Sequence, residues 1–212
     1  MSAADPLRGK FISLEGGEGV GKSTQVKALA EALRGRGIEV LVTREPGGSE
    51  GAERIRELLL SGSEERWGAK AEALLFAAAR ADHIAKTIAP ALASGRWVLA
   101  DRFIDSSLAY QGGAGGLGIE AVRAINAFGI GEHFPDRTLV LSLDEGGERA
   151  RARDTDGSDR IGSRPDDYHR KVAAAFHIIA AEEPARVKLV DASGTAEEVT
   201  QRLLQALADL LP

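Results

Sequence analysis

Gly16-Gly17-Glu18-Gly19-Val20-Gly21-Lys22-Ser23-Thr24 satisfies the pattern G-x-x-x-x-G-K-[ST] at every constrained position. Before it, Lys10-Phe11-Ile12-Ser13-Leu14-Glu15 is a short apolar run that reads as a buried strand. After it, Val26, Leu29, Ala30 and Leu33 recur at helical spacing. A glycine-rich turn from a strand into a helix is the context this pattern requires. Its glycines allow positive φ and turn successive N–H groups inward. Those donors lie at a helix N-terminus, where the dipole favours anions. Lys22 can reach the β- and γ-phosphates as a point charge, and the Ser23 hydroxyl suits Mg²⁺. The nine residues 16–24 therefore predict a cradle for a nucleoside triphosphate, and leave open what receives the phosphate.

Composition narrows the class. The chain has 212 residues, 43% of them hydrophobic, enough for a sizeable core and short for two domains. Lys and Arg number 27 against 32 Asp and Glu, a net charge of −5, so no basic footprint for nucleic acid is present. The chain has no cysteine, which excludes disulfides, thiolate metal sites and thiol nucleophiles. Residues 1–6 lack the charged and apolar regions of a signal peptide, and no apolar run approaches the roughly 20 residues of a membrane span. The expectation is a soluble cytoplasmic protein.

Strand and helix patterns alternate along the chain. Residues 39–43 read as a second strand, ending at Arg44-Glu45-Pro46-Gly47-Gly48, where proline and two glycines force a turn. Residues 50–60 read as a helix. A long helical stretch at 69–93 is expected to break near Pro90. Residues 96–100 form a third strand, followed by Asp101-Arg102-Phe103 and a polar Ser- and Gly-rich segment at 104–118. Helix 120–128, strand 138–143, a charged helix with Arg149, Arg151 and Arg153, a loop at 154–167, helix 168–182, strand 187–191 and helix 196–211 complete the chain. The alternation predicts an α/β fold: a parallel five-stranded sheet of the P-loop NTPase type, helices on both faces, in a single domain. Ligands bind such sheets beyond the carboxyl ends of the strands. The loop at 16–23, the turn at 44–48 and the pair Asp101-Arg102 all fall there and should meet in one cleft.

Within that cleft, Asp101 follows an apolar strand as a Mg²⁺-holding carboxylate does, or else caps the strand end. Arg102 offers a bidentate grip on a second phosphoryl group. Phe76 and Arg80 lie one helical turn apart on one face. An aromatic ring and a guanidinium so placed can stack on a base and bond its edge. From spacing alone, however, Phe76 reads as core and Arg80 as reaching solvent along its stem. Ser106-Ser107-Leu108-Ala109-Tyr110-Gln111-Gly112 offers hydroxyl, phenol and amide groups, or a simple cap and loop. Arg149 and Arg153 also share a helix face, suited to closing over a triphosphate or simply solvated. The four histidines show no metal-ligand spacing.

Taken together, these segments closely resemble bacterial thymidylate kinases. The resemblance runs from Phe11 to the final helix. It rests on the loop at 16–24, Thr43-Arg44-Glu45-Pro46-Gly47-Gly48, Leu75-Phe76-Ala77-Ala78-Ala79-Arg80, and Asp101-Arg102-Phe103 with Ser106 to Gly112. It implies phosphoryl transfer from ATP to dTMP with Mg²⁺ held at Ser23 and Asp101, and usually a homodimer packed through helices. It reverses the spacing argument for Phe76, which would stack on thymine, and for Arg80, which would bond the base edge with Ser107 and Gln111. Arg102 would grip the dTMP phosphate, Arg56 would lie near it, Glu18 would contact the sugar side and Tyr110 would crowd the 2′ position. Some members carry a catalytic arginine in the phosphate loop, where this chain has Gly19. The resemblance then implies a lid at about 149–166 whose arginines (Arg149, Arg151, Arg153, Arg160) supply the charge, Arg153 first and Arg160 toward ATP. Gly162 stands where the family commonly has glutamate, and Phe176 where tyrosine is frequent. A kinase of another nucleoside or monophosphate, or a nucleotide-regulated switch, are the rival readings.

Overall fold

The structure, a computed structural model, describes residues 8–143 and 160–212. Five parallel strands make the sheet: β1 (Phe11–Gly16), β2 (Val40–Arg44), β3 (Trp97–Asp101), β4 (Arg137–Ser142) and β5 (Val187–Asp191), in the spatial order β2-β3-β1-β4-β5. The central pair β1 and β3 run in register with Leu14 opposite Asp101. The loop that leaves β1 and the acidic end of β3 are thereby neighbours.

The two sheet faces follow from side-chain alternation along each strand. In β3, Val98 and Ala100 join one buried cluster, while Trp97 and Leu99 join the other. Phe11 and Ile12 in β1 divide the same way, as do Val140 and Leu139 in β4. The Leu99 face is covered by α1 (Lys22–Arg34) and the C-terminal α8 (Ala196–Ala206). The opposite face is covered by α6 (Ile119–Ile130), α7 (Asp166–Glu182) and helix 84–93. Two helices carry caps that the sequence supplies locally. Ser49 Oγ accepts from Ala52 N–H at the start of α2 (Glu50–Leu60), and Thr195 and Glu198 form a capping box at α8.

The long helix expected at 69–93 is α3 (Ala69–His83), a π-helical turn (Ile84–Ile88) and α4 (Ala89–Ala93). The break thus lies just ahead of Pro90, where a widened turn accommodates the proline ring. The segment 104–118, read from sequence as polar and loop-like, is largely helical: α5 (Ile104–Ser107) continues into a π-helical stretch, Leu108–Ala114. Ile104, Leu108, Ala109 and Tyr110 are all buried there, so tertiary packing overrides the helix cost of Gly112 and Gly113. The last helix ends at Ala206 rather than 211. At one point α3 and α6 come very close: a Cβ on Gly129 would lie 2.8 Å from the Cβ of Ala81.

Candidate active site

Beyond the carboxyl ends of β1, β2 and β3 lies a cleft of about 450 Å³. The phosphate loop contributes Glu18, Gly19, Gly21, Lys22, Ser23 and Thr24; the turn after β2 contributes Arg44, Glu45 and Pro46. Arg56 of α2 and Phe76 and Arg80 of α3 line it as well. So do Asp101, Arg102 and Phe103, then Ser106, Ser107, Tyr110 and Gln111. The three strand-end clusters therefore do meet. Gly16, Gly17 and Val20 build the loop from behind: Val20 is buried in the core, and the Gly16 and Gly17 carbonyls accept hydrogen bonds from site residues.

At the loop, Gly21 sits at φ 91° ahead of α1, and the Lys22 Nζ donates to Gly17 O at 2.5 Å. Burial, and then repulsion by Arg102, bring the Lys22 ammonium down to about 8, with Glu18, Asp101 and Glu15 opposing the shift. Arg102 adopts φ 67°, a left-handed conformation rare outside glycine. Several bonds hold it there. Its N–H donates to Leu14 O at 3.0 Å, Nη1 donates to Gly16 O and Ser106 Oγ, and Nη2 donates to Glu18 Oε1 at 2.6 Å. Tyr110 lies beneath the guanidinium, 5.1 Å from its carbon, and its hydroxyl donates to the same Glu18 oxygen. Burial disfavours the Glu18 charge, but Arg102 and Lys22 outweigh it and hold the carboxyl below its usual range.

Behind this turn sits Glu15, fully buried at the end of β1. Its Oε1 accepts from Phe103 N–H at 2.7 Å and its Oε2 from the Ser106 hydroxyl at 2.6 Å. Burial first and the Asp105 carboxylate second push Glu15 up to about 8, against the pull of Ser106, Arg102 and Phe103. Glu15 thus braces the segment that carries Arg102.

At the far end of the cleft, Phe76 is half-buried and Arg80 is 2% exposed. Arg80 does not reach solvent along its stem. Its Nε donates to Glu45 Oε2 (2.7 Å), Nη1 to Asn126 Oδ1 (2.5 Å), and Nη2 to Phe103 O and Ser107 Oγ (3.1 and 3.0 Å). These bonds occupy most of a guanidinium's five N–H groups. The other Glu45 oxygen meets His83 Nδ1 at 3.0 Å, and His83 Nε2 meets Thr43 Oγ1 at 2.7 Å. Gly48, at φ 83°, lets the turn pass over this pair, since a Cβ there would lie 2.3 Å from His83 Nε2. Arg56 Nη1 donates to Pro46 O at 2.7 Å, which fixes that arginine at the cleft rim.

Arg149, Arg151 and Arg153 lie outside the described residues. Arg160 is described, and it is not among the residues that line the cleft. Its side chain is buried, paired with Glu72 and donating from Nε to Leu59 O at 2.8 Å. Among the described residues no group of three or more His, Cys, Asp or Glu is placed to cage a metal. The donors at the loop are instead the exposed Ser23 hydroxyl and the Asp101 carboxylate, lining one cleft. Such a sparse oxygen set fits Mg²⁺, which keeps waters and is completed by substrate phosphates.

The comparison with known proteins decides the family: the thymidylate kinase model matches residues 14–203. The chain belongs to the thymidylate kinase family. It is 59% identical over 209 residues to a thymidylate kinase of Rhizorhabdus wittichii, covering 97% of this chain and 100% of the relative. Against a thymidylate kinase of Bradyrhizobium sp. (strain ORS 278) the identity is 48%, covering 97% and 92%. A crystal structure of thymidylate kinase from Ehrlichia chaffeensis superposes with a TM-score of 0.78 at 29% identity, covering 94% of this chain and 99% of that one. The five-stranded parallel fold is thus that of the thymidylate kinases.

Against this family framework, sequence reasoning missed four supporting residues: Glu15, Glu45, Glu72 and Asn126. Glu45 lay within a quoted motif, but nothing local showed that its oxygens serve Arg80 and His83. Asn126 is an unremarkable position of an amphipathic helix until α6 is packed against α3. For Glu72 the one available signal was its spacing, four residues before Phe76 and eight before Arg80.

Proposed function

We infer that this chain transfers the γ-phosphoryl group of ATP to dTMP, giving ADP and dTDP, in the supply of dTTP. The observation that carries the reading is the cleft itself. A phosphate loop at one end faces an aromatic ring and a buried, fork-shaped donor at the other, with Arg102 reaching the loop. Phosphoryl transfer needs little covalent chemistry; positioning and charge neutralisation supply most of the rate. Residues 16–24 hold the donor phosphates through backbone N–H groups and Lys22. Phe76 stacks on thymine, Arg80 donates to its edge with Ser107 and Gln111 beside it, and Arg56 and Arg102 draw the acceptor phosphate into line. Glu18 pre-orients Arg102 and meets the sugar side, where Tyr110 crowds the 2′ position. Ser23 and Asp101 are the residues that would hold Mg²⁺, which when bound neutralises charge on the triphosphate. With Gly19 in the loop, we assign the remaining cation to a lid near residues 149–166, Arg153 first and Arg149 with it. No phospho-enzyme is expected.

We further propose a homodimer, in the cytoplasm. Leu74 on α3 and Phe128 on α6 are 57% and 101% exposed. Large apolar side chains left bare on two adjoining helices suit a second copy. Among the described residues no helix is long and apolar enough to cross a membrane.

The test is coupled ADP release with ATP, Mg²⁺ and each deoxynucleoside monophosphate in turn. Strong preference for dTMP is expected. Comparable rates on several monophosphates, or on deoxythymidine, would overturn the acceptor assignment. Turnover indifferent to every acceptor would point to a switch protein.

A further inference from the structure

Glu72 stands in the first turn of α3, 3% exposed, one and two helical steps before Phe76 and Arg80. Its carboxylate is the meeting point of three elements. Gln111 Nε2, from the π-helical stretch, donates to Oε1 at 3.0 Å. Arg164 Nη2 donates to both oxygens, at 3.0 and 2.8 Å, and Arg160 Nη2 donates to Oε2. Tyr168 closes the knot: it accepts from Arg164 Nη1, and its hydroxyl donates to Tyr110 O at 2.7 Å. Burial disfavours the Glu72 charge, but Gln111, Arg164 and Arg160 outweigh it and hold the carboxyl below its usual range.

An ionised carboxylate is acceptor-only. The atom of Gln111 that faces it must therefore be the amide nitrogen, which settles an orientation that an isolated glutamine leaves free. The amide oxygen is then left for the cleft that Gln111 lines. A thymine edge offers O4 as acceptor and N3–H as donor; a cytosine edge offers the reverse, an amino donor and N3 as acceptor. Arg80 can only donate. A glutamine locked with its oxygen outward can only accept at that point.

We propose that Glu72 is a positioning residue for base selection: it locks the Gln111 amide so that Oε1 accepts from N3–H of the acceptor base and rejects cytosine. This rests on the dTMP reading above. Arg160 and Arg164 hold the carboxylate in place from the segment that precedes α7. A buried polar group left without its partner is the stronger half of such discrimination.

The experiment compares kcat/KM for dTMP and dCMP in the wild-type enzyme and in Glu72→Gln, whose neutral amide tolerates either orientation of Gln111. The dTMP-over-dCMP ratio is expected to fall about tenfold, with the dTMP KM raised and the ATP KM within about twofold of wild type. A merely structural Glu72 would lower activity on both acceptors together and leave the ratio unchanged; that result overturns the proposal while the dTMP reading stands. A wild-type enzyme with no preference for dTMP overturns the reading and the proposal with it. Should Glu72→Gln not fold, the wild-type Gln111 side-chain amide, assigned by its loss in Gln111→Leu, is followed by NMR. Solvent exchange about tenfold slower than for an exposed glutamine is expected, and exchange at the exposed rate overturns the lock.

Discussion

Replacing Glu15 with glutamine should make the protein more stable at alkaline pH, although it removes a carboxyl group that two donors address. Glu15 is fully buried, and burial with the Asp105 carboxylate raises it from 4.5 to about 8. The folded state therefore keeps a proton on Glu15 that the unfolded state loses near pH 4.5. The stability this gives is fully present below pH 4.5 and is lost progressively as the pH rises towards 8. The slope is about 1.4 kcal/mol per pH unit, so wild type should lose about 3 kcal/mol between pH 5.5 and 8 relative to a residue that does not titrate. Glutamine is that residue. Its carbonyl can accept from Phe103 N–H, and its amide, like a protonated acid, can donate to the Ser106 oxygen once that hydroxyl turns from donating to Glu15 to accepting. Urea unfolding of wild type and Glu15→Gln at pH 5.5, 6.5, 7.5 and 8.5 gives the difference directly. It should grow in favour of glutamine with rising pH. A difference that stays constant within about 0.5 kcal/mol, or that grows in favour of wild type, would refute the placement of the proton on Glu15.

Other expectations are more direct. Lys22, held near 8, is cationic below that pH and neutral above it, so kcat/KM for ATP should decline as pH passes about 8; a profile level to pH 10 contradicts the role given to its charge. Arg153→Ala should lower kcat by about 10³ if that residue is the lid cation, and a change of only a few-fold would reassign the role. Phe128→Glu should convert a dimer to a monomer in light scattering, and an unchanged mass would remove α6 from the interface.

The parts of this site that were legible in the sequence are those whose chemistry is local. The loop at 16–24 carries strand, glycines, lysine and helix in one stretch. The strand ends at Arg44 and Asp101 follow from short apolar runs that stop at polar clusters, and the structure brings all three into one cleft. The sheet order is not written in such patterns, because it depends on which helix faces find each other. The buried carboxylates were hidden for a related reason. Glu45 meets Arg80 across 35 residues, and Glu72 meets Arg160 across 88; no window of sequence contains both partners. The pairing of Arg160 was hidden in the same way: an arginine next to a run of arginines shows no partner until Glu72 is packed against it. Residues 108–114 were misread because two glycines and a glutamine look polar, while burial of Leu108, Ala109 and Tyr110 winds them into a helix.

The close crossing of α3 and α6 makes Gly129 a gauge block for the pocket we assign to the base. Arg80 is tied to Asn126 across that crossing at 2.5 Å, and the absence of a side chain at Gly129 sets how near the two helices stand. A methyl group there would meet Ala81 and wedge the helices apart, stretching the tie that aims the guanidinium. A residue with no functional group thus helps to set the position of the guanidinium to which we assign the acceptor base. In redesigning this enzyme for other bases, the spacing of two helices is as much a variable as the side chains that touch the ligand.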